Sequence, residues 1–262
     1  MLIDAHAHLD QYGDELDAVL EEIRQHRIFT ISTSMDLPSY ARNLQIGDMC
    51  DLVLPTFGVH PLNAPEYADC LGDLREATER SPMLGEIGLD YYYVSDVSQY
   101  PAQRRIFESF LAAAREQGKI VNLHTKGAEQ AVLRLLDRYD IERAIVHWYS
   151  GPLDVFRQLT ARGTYFTVGV EVLHSKHIQT IARELPARQL LTETDNPSAH
   201  EWLTGKPGMP LLVNEVIQAL ARLREATTED IIQTVEANFA RLIRDDPWIP
   251  RTHLHGLGRT SR

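Results

Sequence analysis

Two histidines one residue apart, His6-Ala7-His8, are the first residues in the chain whose type and spacing could do chemistry. On an extended segment, residues two apart face the same side, so both imidazoles can reach one metal ion. Such a pair also arises by chance and decides little alone. Further polar groups recur where apolar runs end: Glu86 in Gly85-Glu86-Ile87-Gly88, His124 after Leu123, His147 after Val146, and Asp195 in Glu193-Thr194-Asp195. Any one of these is as easily a satisfied polar group at a strand end. Together, His6, His8, His124, His147, Glu86 and Asp195 make up about the ligand count for two divalent ions. Mixed imidazole and carboxylate donors suit Zn²⁺ and Mn²⁺ and tolerate Mg²⁺. Paired cations would lower the pKa of a bound water.

These groups need a scaffold that gathers strand ends. Apolar, β-branched runs at 2–6, 28–33, 53–58, 83–87, 120–124, 143–147, 165–170 and 189–194 read as strands. Amphipathic stretches at 14–25, 101–117, 128–138, 152–162 and 177–184 lie between them, and 210–223 and 228–243 follow the last. Gly118 and Gly163 sit where helices should stop, and Pro101 and Pro152 suit first turns. Eight strands, each followed by helical material, predict an α/β chain closed as a (β/α)8 TIM barrel. An open doubly wound sheet is the alternative, but no G-x-G-x-x-G follows an early strand. Barrel enzymes carry their catalytic groups at the C-terminal mouth, where all the residues above would fall. The expected organisation is one domain over 1–249 with a flexible tail over 250–262, which has no apolar period.

Composition sets outer limits. With 262 residues, 44% hydrophobic and 24% charged, the chain reads as an ordinary soluble globular protein. Cys50 and Cys70 make no disulfide framework, so a reducing cytoplasm is expected. The sequence predicts no secretory signal, and no apolar run approaches the ~18 residues of a membrane helix. A formal net charge of −11 argues against gripping duplex nucleic acid through a broad basic face. A small cation-lined pocket escapes that objection, because it attracts an anion locally.

Six segments in order, His6-Ala7-His8, Gly58-Val59-His60-Pro61, Gly85-Glu86-Ile87-Gly88-Leu89-Asp90-Tyr91, Asn122-Leu123-His124, His147-Trp148-Tyr149-Ser150-Gly151 and Glu193-Thr194-Asp195-Asn196-Pro197, resemble the TatD family of metal-dependent deoxyribonucleases. The likeness runs from residue 2 to about residue 244, where Asn238-Phe239-Ala240-Arg241-Leu242 resembles that family's closing helix. It implies an amidohydrolase-like TIM barrel that hydrolyses DNA phosphodiesters, often from the 3′ end. By the same resemblance His6, His8 and Asp195 would hold one metal, His124 and His147 a second, and Glu86 would bridge them. A carboxylate suits that place because its two oxygens serve two cations and offset part of their repulsion. Many amidohydrolase relatives use a carboxylated lysine there, but Lys119, Lys126, Lys176 and Lys206 all lie away from the end of strand four. The chain departs from the family at Lys126, where arginine is common, and at Trp148-Tyr149, where Cys-Phe is usual. The stretch 205–210 also lacks the usual Arg-Asn-x-Pro.

Asp195 is the leading candidate to take the proton of an attacking water. His60 would hydrogen-bond a phosphate oxygen or protonate the leaving oxygen, and Glu193 would orient a ligand histidine or a water. Lys126 would meet phosphate as a point charge, and the run Tyr91-Tyr92-Tyr93, Tyr91 first, offers a ring to an unpaired base. The expected substrate is single-stranded or frayed DNA, with no membrane and no obligate protein partner. Two other readings share these residues: a lactonase or phosphotriesterase-like hydrolase on the same barrel, and a non-catalytic metal-binding subunit of a larger assembly.

Overall fold

A computed structural model describes residues 1–249; the expected tail, 250–262, lies outside the described residues. Among the described residues, eight strands alternate with helices. They are β1 (Leu2–Ala7), β2 (Ile28–Thr33), β3 (Val53–Thr56), β4 (Leu84–Gly88), β5 (Val121–His124), β6 (Ala144–Val146), β7 (Tyr165–Val168) and β8 (Leu190–Thr192). The helices are α1 (Leu16–His26), α2 (Leu37–Met49), α3 (Ala64–Tyr67), α4 (Arg75–Arg80), α5 (Tyr100–Gln117), α6 (Glu129–Arg138), α7 (Leu153–Ala161), α8 (Lys176–Glu184), α9 (Ser198–Thr204), α10 (Leu212–Leu223) and α11 (Thr228–Leu242).

All strand pairs are parallel, in the orders β1-β2-β3 and β4-β5-β6-β7-β8. A Phe57–Leu84 bridge joins the two runs, with the Gly85 amide donating to the Phe57 carbonyl at 2.8 Å. The ring closes between the last strand and the first. There the Asp195 amide donates to the His6 carbonyl (2.9 Å) and the His8 amide to the Asn196 carbonyl (2.8 Å). Beneath them the Thr194 amide and hydroxyl donate to the two Asp4 carboxylate oxygens at 2.9 and 2.6 Å. The result is a TIM barrel, whose strands are buried on both faces and therefore read as continuous apolar runs. No helix of the described residues is long and apolar enough to cross a membrane.

Two ladders contain one extra residue. In β1, Asp4 pairs with Thr30 but Ala7 with Ser32; in β4, Leu84 pairs with Val121 but Ile87 with Leu123. Such bulges re-aim side chains, and these two enclose His6 and Glu86. Glycine lets neighbouring strands close around the same points. A β-carbon on Gly58 would overlap the Glu86 backbone, and one on Gly88, at φ 155°, the His124 carbonyl.

Candidate metal centre

Glu86, in the bulge of β4 and almost fully buried, is the hub of the barrel mouth. Its Oε2 lies 3.5 Å from His6 Nε2 and 3.4 Å from His8 Nε2. Its Oε1 lies 2.7 Å from His147 Nε2, 2.8 Å from His124 Nδ1 and 3.5 Å from His60 Nε2. Asp195 Oδ1 approaches His8 Nε2 at 3.2 Å and His6 Nε2 at 3.7 Å. All six residues expected as ligands therefore converge. The two Glu86 oxygens divide the imidazoles into His6 and His8, on and just after β1, and His124 and His147, at the end of β5 and just after β6, with His60 beside the second pair.

Outer partners determine which ring nitrogens face inward. His6 Nδ1 donates to Asn122 Oδ1 (3.1 Å), whose own amide nitrogen is committed to the Ala5 carbonyl (2.9 Å). His8 Nδ1 donates to the Thr33 carbonyl at 3.1 Å, and His124 Nε2 to Asp90 Oδ2 at 2.9 Å. His147 Nδ1 stands 3.6 Å from Glu193 Oε2. In His6, His8 and His124 the proton belongs on the outer nitrogen, and the inner lone pair points at the carboxylates. Lone pairs aimed at carboxylate oxygens repel unless a positive charge lies between them.

The titration of the protein's own groups registers that demand. Burial opposes protonation of His8, His124 and His147. The carboxylates nevertheless hold all three upward: Asp195 and Glu86 act on His8, Asp90 and Glu86 on His124, and Glu86 and Glu193 raise His147 to about 10. Burial likewise opposes ionisation of Glu86, yet the surrounding imidazoles hold its pKa well below the carboxylate range. A divalent cation would supply this positive charge without protons. Three overlapping donor groups are spaced for one, His6–His8–Asp195, His6–Glu86–His147 and His60–Glu86–His124, with ligand atoms within 4.8 Å of one another. The residues present fit metal.

A sequence profile of the TatD-related DNase family matches residues 3–244. The chain belongs to the TatD family. It is 30% identical to the metal-dependent hydrolase YabD of Bacillus subtilis over 93% of this chain and 99% of that one. Human deoxyribonuclease TATDN3 is 23% identical over 92% of this chain and 94% of its own. The crystal structure of YjjV, a TatD homologue from Escherichia coli, superposes with a TM-score of 0.83 at 25% identity, covering 92% and 97% of the two chains. This TatD-family protein is accordingly a metal-dependent hydrolase.

Other expected site residues of the TatD-family chain fall in different places. His60 lines the mouth cavity, but its Nδ1 accepts the Leu62 amide (3.2 Å), which leaves the proton on Nε2 facing Glu86. Burial drops its pKa to about 3, so it remains a neutral donor. Lys126 lines the cavity with its ammonium on Ser150 Oγ at 2.6 Å. Glu193 does not face the cavity. It lies behind His147, where its Oε1 accepts the Trp148 amide at 2.8 Å, so it can position His147 but cannot touch substrate. Tyr91 is also displaced from its expected role: its ring stacks on Tyr100 at 4.0 Å, on the outer side of the loop, and Tyr93 takes the inner place. The unusual stretch 205–210 is tied down by Tyr12 OH on the Gly208 carbonyl (2.7 Å) and Asn196 on the Met209 carbonyl (2.7 Å). Asp90 and Asn122 were not singled out from sequence. Asp90 lies two residues after Gly88 at a strand end, a signal that could have marked it.

Proposed function

We propose that the protein hydrolyses DNA phosphodiester bonds, acting on single-stranded or frayed 3′ ends, with two divalent ions. His6, His8 and Asp195 would hold one, His124 and His147 the other, and Glu86 both. Bound there, Zn²⁺, Mn²⁺ or Mg²⁺ supplies Lewis-acid polarisation of the phosphodiester and acidifies water. The chain's own residues do the rest. Asp195 keeps a second oxygen free to accept the proton of the attacking water. Neutral His60 offers its Nε2 hydrogen to a phosphate oxygen; with so low a pKa it donates a hydrogen bond and does not protonate the leaving group. Lys126 adds a point charge for phosphate, and Glu193 positions His147.

The observation that carries this reading is Glu86, whose two oxygens face two sets of imidazoles with inward lone pairs. The DNA substrate draws support from the family match and from the deoxyribonuclease name of the human relative. A recessed mouth on a chain of net charge −11 favours a strand end over a duplex interior. The test compares an end-labelled linear strand with a covalently closed circle of the same sequence, each with Zn²⁺, Mn²⁺ and Mg²⁺. The linear strand should shorten from its 3′ end while the circle persists, and chelator should stop the reaction. Equal cleavage of both removes the dependence on an end. Cleavage of neither with any metal refutes the nuclease reading.

A further inference from the structure

Among the described residues, the exposed large apolar side chains are Met49, Leu62, Tyr92, Tyr93, Val97 and Trp202. All but Met49 stand on segments that follow β3, β4 or β8, on the mouth side of the barrel, with Trp202 on the short helix α9. Four aromatic rings there form two edge-on pairs. Tyr92 and Tyr93 meet at 4.9 Å and 88°, and Trp148 and Trp202 at 6.1 Å and 73°. One member of each pair, Tyr93 and Trp148, lines the cavity of about 300 Å³ that holds Glu86 and Lys126. The outer members are 68% and 65% exposed.

Trp148 is held with unusual care. Its backbone lies in the left-handed region at φ 36°, a conformation costly for a bulky residue. Its amide donates to Glu193, its indole N–H donates to Glu171, and its ring meets the edge of Trp202. An indole with its donor already used offers a flat π-face and no hydrogen-bond readout. Lys126 Nζ lies 5.8 Å from the ring centres of both Tyr92 and Tyr93, so a cation and aromatic faces share one wall.

Resting on the nuclease reading, we infer that Tyr93 and Trp148, braced by Tyr92 and Trp202, form a base-stacking surface. It takes the unpaired terminal base of a DNA strand while Lys126 meets that nucleotide's phosphate. The Glu171 carboxylate repels phosphate from the tryptophan side, which orients the nucleotide with its base toward Trp148 and its phosphate toward Lys126 and Ser150. A base inside a duplex cannot enter, because both its faces are covered by its neighbours, and a terminal base must first leave its pair to reach the recessed surface. The surface therefore selects for an unstacked end without reading sequence.

The test uses metal-loaded protein and a single-stranded hexanucleotide with a phosphorothioate last linkage, ending in 2-aminopurine or in an abasic site. Stacking should quench 2-aminopurine, and the base-bearing strand should bind about tenfold more tightly than the abasic one. Trp202→Ala and Tyr93→Ala should each shrink that ratio several-fold and weaken the quench, while Trp202→Phe restores both. An undiminished ratio in both alanine variants overturns the stacking surface. Wild-type protein that degrades linear DNA yet binds the two ends equally also overturns it, and leaves the nuclease reading standing. Wild-type protein that neither binds nor cuts either strand overturns both.

Discussion

Asp90→Asn should separate ligand orientation from packing. The Asp90 carboxylate accepts three hydrogen bonds: His124 Nε2 at 2.9 Å on one oxygen, and the Tyr92 and Tyr93 amides at 2.9 and 2.7 Å on the other. Asparagine keeps the shape and can satisfy both amides only by leaving its oxygen on their side. Its NH₂ then faces His124 Nε2 and drives the imidazole proton to Nδ1, the nitrogen aimed at Glu86 Oε1 from 2.8 Å. Turning the asparagine over would strand two part-buried amides, at up to roughly 1–3 kcal/mol each. The unturned form should win, and His124 loses its inward lone pair. Metal affinity should fall about 10- to 100-fold, the usual effect of removing a ligand's outer partner, while stability changes little. Asp90→Ala leaves all three donors unpaired and should cost at least ~3 kcal/mol, lowering Tm by roughly 6–12 °C in a chain of this size. Chelator competition and thermal melts read the two effects separately. Wild-type metal affinity in Asp90→Asn would refute the argument that Asp90 sets the tautomer.

Glu86→Ala should abolish turnover more completely than Lys126→Ala, because it removes the group common to both ligand sets; steady-state rates on one oligonucleotide decide, and near-normal hydrolysis by Glu86→Ala would remove the bridging role. Returning Zn²⁺ or Mn²⁺ to chelated protein at about 100 times Kd should add ~2.7 kcal/mol and raise Tm by several degrees; an unchanged melt would mean that metal does not bind the folded chain. Far from the mouth, burial lowers the Lys119 pKa to about 8. Between there and the ordinary lysine range the unfolded chain retains a proton that the folded chain has released, so stability should rise with pH across that window. Urea midpoints at pH 7.5 and 10 should show the rise in wild type and a smaller one in Lys119→Met; parallel changes would exclude Lys119 as its source.

Strand positions were legible because a parallel barrel buries both faces of each strand, and the histidines and carboxylates that converge at the mouth were legible because they lie in or just beyond the ends of those strands. Helix α2 was not among the expected helices. Its buried face runs Tyr40, Asn43, Ile46, and the asparagine that interrupts the apolar period is held by polar partners, with Ser32 donating to its Oδ1 and its own amide donating to Ser34 Oγ. Its start signal, the Asp36 and Ser39 capping box, was nonetheless present in the sequence. The bulges at His6 and Glu86 left no trace in apolar alternation, since neighbouring residues are buried on either face. The tyrosine run showed its composition but not its direction. Which ring turned inward depended on Tyr100, nine residues beyond Tyr91.

Closure of the barrel at the β8–β1 seam has a consequence for the order in which the protein is made. The same two backbone bonds that seal the ring, from Asp195 to His6 and from His8 to Asn196, also bring the first ligands to leave the ribosome beside the last. A nascent chain carrying His6, His8 and Glu86 holds its first strand only against β2 and still lacks Asp195 and the seam that closes the ring. Contacts of such long separation in sequence form late. An abortively terminated chain therefore cannot assemble a partial hydrolytic centre, and cleavage activity begins only after the final strand has been synthesised and has met the first.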